Sequence, residues 1–274
     1  MPTFDIGGLV VGTEIKSAQL LLKSPGVFAG RPFVDAIFEE LQCSVLWEDE
    51  VAIEGKYFEQ ASSTNRVTIA IVRGPANALL RGERTALNTL SRCSGCATSA
   101  FLSVKRMKSQ HPDWRGVLAG TRKTTPGSFR IVEKYGLLVG GADTHRMDLS
   151  QMTMLKDNHI WSAGSIDAAV RKARAAAGFS TKIEVECQNL KEACEACGAG
   201  ADIIMLDNYE PVDLKKDARL LKEERGFSHV TIEASGGINF DTMCDYVSDH
   251  VDVISRGDLT QGYACLDYSL KIQR

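Results

Sequence analysis

The stretch that decides the fold is Lys182–Asn208, KIEVECQNLKEACEACGAGADIIMLDN. It begins with a short apolar run at Ile183–Val185, continues through an amphipathic segment at Leu190–Cys197 and ends in a second apolar run at Ile203–Leu206. Runs of these lengths predict a strand, a helix and a second strand, which together form a βα unit of a parallel sheet.

Seven apolar runs of this kind occur along the chain, and a polar or charged cluster follows each one. The runs are Gly116–Ala119, Leu137–Val139, Met152–Leu155, Ile183–Val185, Ile203–Leu206, Val230–Ile232 and Val251–Ile254. The clusters are Thr121–Lys123, His145-Arg146, Lys156–His159, Glu186–Gln188, Asp207-Asn208, Ser235–Gly237 and Ser255–Gly257. Because functional groups at the carboxyl ends of successive strands surround one opening, the pattern predicts an α/β-barrel enzyme. Seven strands instead of eight predict an incomplete or open barrel.

Residues 1–97 follow a different pattern and predict an α+β domain. Strands are expected at Cys43–Trp47, Val51–Glu54 and Val67–Val72, and one or two helices at Ala76–Lys108. Residues 98–265 then form the barrel domain. The last segment, residues 266–274, is expected to pack back on the first domain.

The composition points to an ordinary globular protein of the cytosol. A net charge of −3 gives no global field for nucleic acid or membrane, so an anion site must be a local concentration of basic residues. The start, MPTFDIGGLVVG, lacks the pattern of a secretory signal. Eight Cys without regular spacing indicate reduced thiols. The pairs Cys93/Cys96 and Cys194/Cys197 have zinc-ligand spacing, but buried free thiols are the preferred interpretation.

Basic residues gather at the predicted strand ends. They are Arg122, Lys123, His145, Arg146 and Lys156, with Arg84 as a sixth candidate in the helical region. So much positive charge around one opening needs a polyanionic ligand or buried carboxylates to offset it. The set therefore predicts an anion-binding site, with His145 as an acid, a base or a hydrogen-bond donor.

Carboxylates are expected beside these bases. Side chains alternate along a strand, so Glu184 and Glu186 share a face with Lys182. Glu186 and Asp207 should then meet at neighbouring strand ends, where they can hold Mg²⁺ or oppose a developing cation. Glu184 is expected only to neutralise Lys182 or Lys156.

Glycine-rich turns end the last two predicted strands, at Ala234–Ile238 and Ser255–Asp258. Glycine lets backbone amides approach a phosphate closely, and a phosphate site after the final strands recurs in α/β barrels. We therefore expect a phosphate site there.

These motifs together resemble the quinolinate phosphoribosyltransferase family over nearly the whole chain. The segments that carry the resemblance are Gly82–Arg84, Leu87-Asn88, Gly120–Gly127, Glu133–Gly141, His145-Arg146, Leu155–His159, Glu184–Glu186, Leu206–Asn208 and Glu233–Gly237. The resemblance implies an N-terminal α/β sandwich beside an incomplete seven-stranded α/β barrel.

It also implies a reaction: quinolinate and phosphoribosyl pyrophosphate give nicotinate mononucleotide, pyrophosphate and carbon dioxide, with Mg²⁺, on the route to NAD. The implied quinolinate ligands are Arg84, Arg122, His145, Arg146 and Lys156. Thr121 joins the substrate-binding set, and Lys123 contacts the ribosyl donor and takes part in catalysis. Glu186 and Asp207 act on the ribose side and on Mg²⁺, and Ser235, Gly236, Gly237 and Gly257 hold the 5-phosphate. The family forms dimers or hexamers in which a neighbouring subunit lends the arginine that matches Arg84.

Three departures from the family pattern keep alternatives open. Both Ser128 and Phe129 stand before Arg130 where the family has one residue, Arg256 and Asp258 flank Gly257, and Met1 falls where the first extended segment should begin, without the usual N-terminal helix. An inactive relative that binds nucleotides or acts as a scaffold is one alternative. A phosphoribosyltransferase for another base and a Schiff-base aldolase with Lys156 as nucleophile are the others.

Overall fold

The computed structural model describes residues 5–273. Two compact units divide the chain. Unit 1 comprises residues up to Leu102, Thr124–Gly141 and the segment from Leu259, and unit 2 comprises Ser103–Lys123 and Ala142–Asp258.

The elements before residue 116 are α1 (Ile6–Val11), β1 (Ile15–Leu22), β2 (Gly26–Val27), α2 (Arg31–Glu40), β3 (Ser44–Trp47), β4 (Tyr57–Phe58), β5 (Val67–Pro75) and α3 (Ala76–Gln110). Those that follow are β6 (Val117–Ala119), α4 (Arg130–Val139), β7 (Thr153–Leu155), α5 (Asp157–Ala163), α6 (Ile166–Ala177), β8 (Ile183–Cys187), α7 (Leu190–Ala199), β9 (Ile203–Asp207), α8 (Pro211–Arg219), β10 (Thr231–Ser235), β11 (Val253–Ser255), α9 (Asp258–Gln261) and β12 (Tyr268–Ile272). A π-helical turn, Leu220–Glu224, extends α8, and 3₁₀ turns occupy Gly127–Phe129 and Met243–Tyr246.

Unit 1 is built on an antiparallel sheet with the strand order β12-β1-β5-β3. Alternate residues Ala18, Leu20 and Leu22 of β1 and the buried residues of β5 pack around Phe28, Phe38 and Leu79. Strand β12 pairs with β1 from Ala18↔Ile272 to Leu22↔Tyr268, so the last described segment completes this sheet.

Unit 2 is built on a parallel sheet with the order β6-β11-β10-β9-β8-β7. Its strands carry fully buried Ile183, Val185, Ile204 and Ile232, as expected for strands covered on both faces. A single parallel bridge, Ala119↔Asp143, adds one further position beside β6. The predicted fold class, an incomplete α/β barrel with an N-terminal α+β domain, is confirmed.

The strand predicted at Leu137–Val139 is wrong, because these residues end helix α4. Glycines explain the helix: a Cβ on Gly136 would lie 2.6 Å from the Cys93 carbonyl oxygen, and one on Gly140 would lie 2.4 Å from that of Ala97. Helix α4 therefore packs closely against α3, and its apolar run is one face of that contact. The sheet consequently has six strands, and the bridge at Asp143 takes the seventh position.

One further expectation in unit 1 is wrong. Residues Val51–Glu54 form a turn instead of a strand, with Val51 N–H donating to the Glu48 carbonyl oxygen and the Glu54 carboxyl accepting from the backbone of Gly30 and Arg31. The chain before β1 is helical at α1, where Asp5 caps Gly8 N–H at 2.9 Å. Met1, on which the expectation of an extended start was based, lies outside the described residues.

Within residues 5–273, no helix combines the length and apolar character needed to cross a bilayer.

Candidate active site

A cavity of about 330 Å³ opens at the carboxyl ends of the unit 2 strands. We call it the carboxyl-end cavity. Parallel strands place their last residues at one edge of the sheet, so side chains from five of them converge there. It is lined by Thr121, Arg122, Lys123, His145, Arg146, Met154, Lys156, Glu186, Met205, Asp207, Asn208, Glu233, Ser235, Gly236, Gly237 and Ser255.

Five of the predicted basic side chains meet in this cavity: Arg122, Lys123, His145, Arg146 and Lys156. Arg146 is 9% exposed, and its Nη1 donates to the Met152 carbonyl oxygen at 3.0 Å. Burial, followed by the charge of Arg122, lowers the pKa of the Arg146 guanidinium. The cations therefore repel one another in a partly dry site, and an anionic ligand would relieve that cost.

The acids lie on the same rim. Lys156 Nζ pairs with Glu186 Oε2, and Asn208 Nδ2 donates to Asp207 Oδ2 at 2.5 Å. Burial and the neighbouring charge of Glu186 raise the pKa of the Asp207 carboxyl. Two carboxylates at adjacent strand ends form an oxygen donor set of the kind that Mg²⁺ prefers. The residues present therefore fit that ion.

The glycine turn after β10 is held against the turn after β9. Gly236 has a φ of +94°, and a Cβ there would lie 2.4 Å from Asn208 Oδ1 and 2.6 Å from the Asn208 backbone nitrogen. Asn208 N–H in turn donates to the Ser235 carbonyl oxygen at 2.9 Å. Only glycine fits this close approach. The turn lines the cavity at Ser235, Gly236 and Gly237, as a backbone site for an anion would.

Neither Glu233 nor Ser255 is among the predicted site residues, although Ser255 begins the second glycine-rich turn, and both line the cavity. Glu233 Oε1 lies 2.6 Å from Ser255 Oγ and 3.3 Å from His145 Nε2. The alternation that identified Glu186 also places Glu233 on the face of Ser235, two residues further on. That signal was present in the sequence.

The expectation that Glu184 neutralises a lysine is wrong. Lys156 pairs with Glu186, and among the described residues no ion pair forms between Glu184 and Lys182. Glu184 is fully buried, and burial together with the charge of Glu233 raises its pKa to about 9. It is therefore a neutral acid in the barrel interior.

Glu184, Glu233 and His145 have ligand atoms within 4.8 Å of one another, a spacing that could hold a metal ion. However, Arg146 N–H donates to His145 Nδ1 at 2.8 Å, so Nδ1 carries no proton and Nε2 must carry it. A protonated nitrogen cannot bind a metal, so His145 and Glu233 form a hydrogen-bonded pair with the Glu184 carboxyl close by.

Some predicted site residues lie elsewhere. Arg84 belongs to unit 1, where its side chain is 73% exposed on α3. Gly257 does not line the carboxyl-end cavity. Arg256, considered as an extra phosphate ligand, is buried and donates to Asp258 at 3.0 and 2.7 Å and to Ser103 Oγ at 2.8 Å. Asp258 therefore neutralises Arg256 and does not oppose a ligand.

The CxxC pairs lie on separate helices, Cys93 and Cys96 on α3 and Cys194 and Cys197 on α7. Burial raises the pKa of the Cys93 and Cys96 thiols strongly and that of Cys197 to about 12. These thiols stay protonated at neutral pH, whereas a metal ligand or a nucleophile must be a thiolate.

The cavity at the carboxyl ends of the parallel strands is polar and contains converging basic side chains, two carboxylates and a glycine turn. These features define an enzyme active site for an anionic substrate. Comparison with known proteins then identifies the family. Residues 96–271 match the model of the quinolinate phosphoribosyl transferase C-terminal domain, and residues 5–94 match that of the N-terminal domain.

Individual relatives agree over the full chain. The nicotinate-nucleotide pyrophosphorylase [carboxylating] of Rattus norvegicus is 52% identical over 271 residues, covering 99% of this chain and 86% of the rat protein. The Homo sapiens protein of that name is 50% identical, covering 99% and 87%. The crystal structure of NadC from Streptococcus pyogenes superposes with a TM-score of 0.85 at 32% identity, covering 99% of this chain and 92% of that one. The chain belongs to the quinolinate phosphoribosyl transferase family.

Proposed function

We propose that this enzyme transfers the phosphoribosyl group of phosphoribosyl pyrophosphate to quinolinate, with decarboxylation, in NAD biosynthesis. The products are nicotinate mononucleotide, pyrophosphate and carbon dioxide. The observation that carries the proposal is the convergence of Arg122, Lys123, Arg146 and Lys156 with the Ser235–Gly237 turn in one cavity.

Quinolinate binds through its two carboxylates. Arg122 and Arg146 suit bidentate carboxylate recognition, and Lys156 adds a third positive charge on the same rim. Arg146 is the most buried of these cations, so its charge is screened least by solvent. Of the two ring nitrogens of His145, one accepts from Arg146 N–H and the other faces Glu233, so His145 supports the site instead of exchanging protons in it.

The sugar phosphate binds in the same cavity, with Ser235, Gly236 and Gly237 at the 5-phosphate and Thr121 and Lys123 at the pyrophosphate side. Positive charge develops on the ribose C1 as its bond to the pyrophosphate oxygen breaks. Glu186 and Asp207 are placed to stabilise that charge. The quinolinate nitrogen forms the new bond to C1.

Decarboxylation follows without a further organic cofactor. The bond from the ring to the carboxylate beside the nitrogen breaks, carbon dioxide leaves, and the positively charged pyridinium takes up the electron pair until a proton from water replaces the lost group. Positioning and charge neutralisation by the cavity supply most of the rate enhancement.

Glu186 and Asp207 are also the residues that would hold Mg²⁺, directly or through the ribose hydroxyls. Mg²⁺ would supply charge neutralisation at the pyrophosphate. A chelator that removes Mg²⁺ should abolish pyrophosphate release, and added Mg²⁺ should restore it. Full activity in the presence of the chelator would contradict this role.

We also propose a cytoplasmic homo-oligomer, a dimer or hexamer, in which Arg84 of one copy completes the site of another. Its exposed side chain on α3 supports this role. Inactive Arg84→Ala mixed with inactive Lys123→Ala should recover activity, because mixed oligomers contain an intact site. No recovery in oligomers verified as mixed would contradict the exchange.

The alternative activities are less well supported. A Schiff-base lysine must present a free amine, whereas the Lys156 ammonium contacts Glu186. A phosphoribosyltransferase for a monoacid base would not need this density of cations. Nicotinate offered in place of quinolinate should therefore give no mononucleotide, and turnover of nicotinate would favour the other base.

A further inference from the structure

We propose that Glu233 is a positioning residue that joins the quinolinate side of the carboxyl-end cavity to its phosphate side. The inference rests on the proposed function of that cavity. Glu233 lies on β10, is 3% exposed, and presents one oxygen, Oε1, to two different hydrogen-bond donors. Each donor leads to a different half of the site.

The first branch runs to the quinolinate side through His145. This residue has a φ of +56°, and its backbone N–H donates to Asp143 Oδ1 at 2.6 Å. Because Arg146 N–H occupies His145 Nδ1, the ring proton is on Nε2, which faces Glu233 Oε1 at 3.3 Å. Glu233 and the Arg146 N–H thus fix the tautomer and the ring orientation together, and the ring in turn holds the backbone of Arg146.

The second branch runs to the phosphate side through Ser255 at the end of β11. Ser255 Oγ lies 2.6 Å from Glu233 Oε1 and 3.0 Å from Ser235 Oγ. Ser255 is placed to donate in either contact, so its single proton links the carboxyl oxygen of Glu233 with the Ser235 hydroxyl oxygen. The position of Ser235 on the phosphate side therefore depends on Ser255 and, through it, on Glu233.

The two branches meet at one atom, so displacement of Glu233 Oε1 would disturb both halves together. The neighbouring acid Glu184 provides a contrast. It is buried to a similar degree, but among the described residues it forms no hydrogen bond with His145 or Ser255. A Glu184 variant therefore loses a buried carboxyl without losing the hydrogen bonds that Glu233 makes to His145 and Ser255.

Steady-state kinetics on three variants test whether Glu233 joins the two sides of the cavity. Glu233→Met keeps the length of the side chain but removes the acceptor, and should lower kcat/KM for both substrates by about tenfold or more, as is typical when an outer partner of a ligand-binding side chain is lost. Glu233→Gln retains an acceptor oxygen and should recover most of that loss. Ser255→Ala should raise KM for phosphoribosyl pyrophosphate and leave KM for quinolinate unchanged.

Glu184→Gln is the matched control and should stay near the wild-type values. A Glu233→Met enzyme that folds, by its thermal transition, and keeps kcat/KM for either substrate would overturn the proposal. Equal losses in Glu184→Gln and Glu233→Met would also overturn it, because they would indicate a general effect of buried carboxyls.

Nitrogen-15 NMR of the histidine rings tests the same link without activity. The His145 signal, assigned with His145→Asn, should show Nε2 protonated in the wild type, in Ser255→Ala and in Glu233→Gln, and mixed tautomers in Glu233→Met. Protonation at Nδ1 in the wild type would contradict the hydrogen-bond arrangement. If the wild type makes no nicotinate mononucleotide, the proposed function fails, while the NMR result still decides the role of Glu233.

Discussion

The barrel of unit 2 has a cavity at each end, and the two differ in what lines them. A second cavity of about 360 Å³, the amino-end cavity, is lined by the first residues of several strands, including Val117, Ile203 and Thr231, and by Lys182. It shares Arg146, His145 and Glu233 with the carboxyl-end cavity.

The same strands thus line two cavities that differ in the number of charged side chains. The carboxyl-end cavity adds Arg122, Lys123 and Lys156, two paired carboxylates and the glycine turn to the shared layer. The amino-end cavity adds Lys182, Asp143 and otherwise apolar or uncharged side chains. The difference teaches that alternation along a strand fixes which face a side chain occupies, but its position along the strand decides whether it meets a ligand.

The largest effect on substrate binding is expected from Arg146, which lines both cavities. Arg146→Ala should weaken quinolinate binding by about 2–5 kcal/mol, because it removes a buried charged contact. Calorimetric titration of quinolinate measures this directly. The control Arg171→Ala removes an exposed arginine paired with Asp167 at 2.9 Å and should bind normally. Near-normal affinity in Arg146→Ala would contradict the assignment.

A lysine from each cavity gives the sharpest comparison of the two ends. Lys156→Ala should lower kcat/KM for quinolinate by about 10- to 100-fold, the value of a charged hydrogen bond, whereas Lys182→Ala should change it little. Purified variants assayed side by side provide the measurement. Equal losses in both would show that the lysines act through the field of the whole barrel.

Glycine at 236 should matter more than glycine in open space. Gly236→Ala introduces strain at a φ of +94° and a clash with Asn208, and should cost about 1–3 kcal/mol of stability and raise KM for phosphoribosyl pyrophosphate. Gly178→Ala also has a positive φ, +71°, but its Cβ meets no atom within 4 Å. The control should therefore lose stability without a change in KM. A KM increase shared by both variants would argue against a phosphate cradle.

The smallest effect on turnover is expected from Glu184→Gln, which instead alters stability. Folding raises the pKa of this carboxyl from 4.5 to about 9, so its contribution to stability is full below about pH 4.5 and is lost as the pH rises toward 9. Gln cannot ionise in the unfolded chain, so the variant should gain stability over the wild type as pH increases, by up to about 1.4 kcal/mol per pH unit. Urea unfolding at several pH values measures the difference. A stability difference that stays constant with pH would contradict the assignment of Glu184 as a buried neutral acid.

Much of this arrangement could be predicted from the sequence because strand alternation and the position of polar clusters are local properties. Lys182–Asn208 alone gave the βα unit and placed Glu186 and Asp207 at adjacent strand ends. The strand prediction at Leu137–Val139 was wrong because three apolar residues fit a strand and a helix face equally well. Only the close packing of Gly136 and Gly140 against α3 distinguishes them, and that contact joins residues distant in sequence.

The hydrogen-bond partners could not be predicted for a similar reason. Alternation places Glu184 and Glu233 on inward faces but does not say which of them meets His145. Likewise, Arg256 follows a strand end as Arg122 nearly does, yet Asp258 and Ser103 occupy its guanidinium. Such choices depend on rotamers and on the spacing of neighbouring strands.

The central claim is that one cavity brings a diacidic pyridine and a sugar pyrophosphate together. Formation of nicotinate mononucleotide and carbon dioxide by the purified protein, supplied with quinolinate, phosphoribosyl pyrophosphate and Mg²⁺, tests it most directly. We expect the two products in equal amounts, with pyrophosphate, and none when nicotinate replaces quinolinate. A folded protein that binds quinolinate but releases neither product would contradict the account.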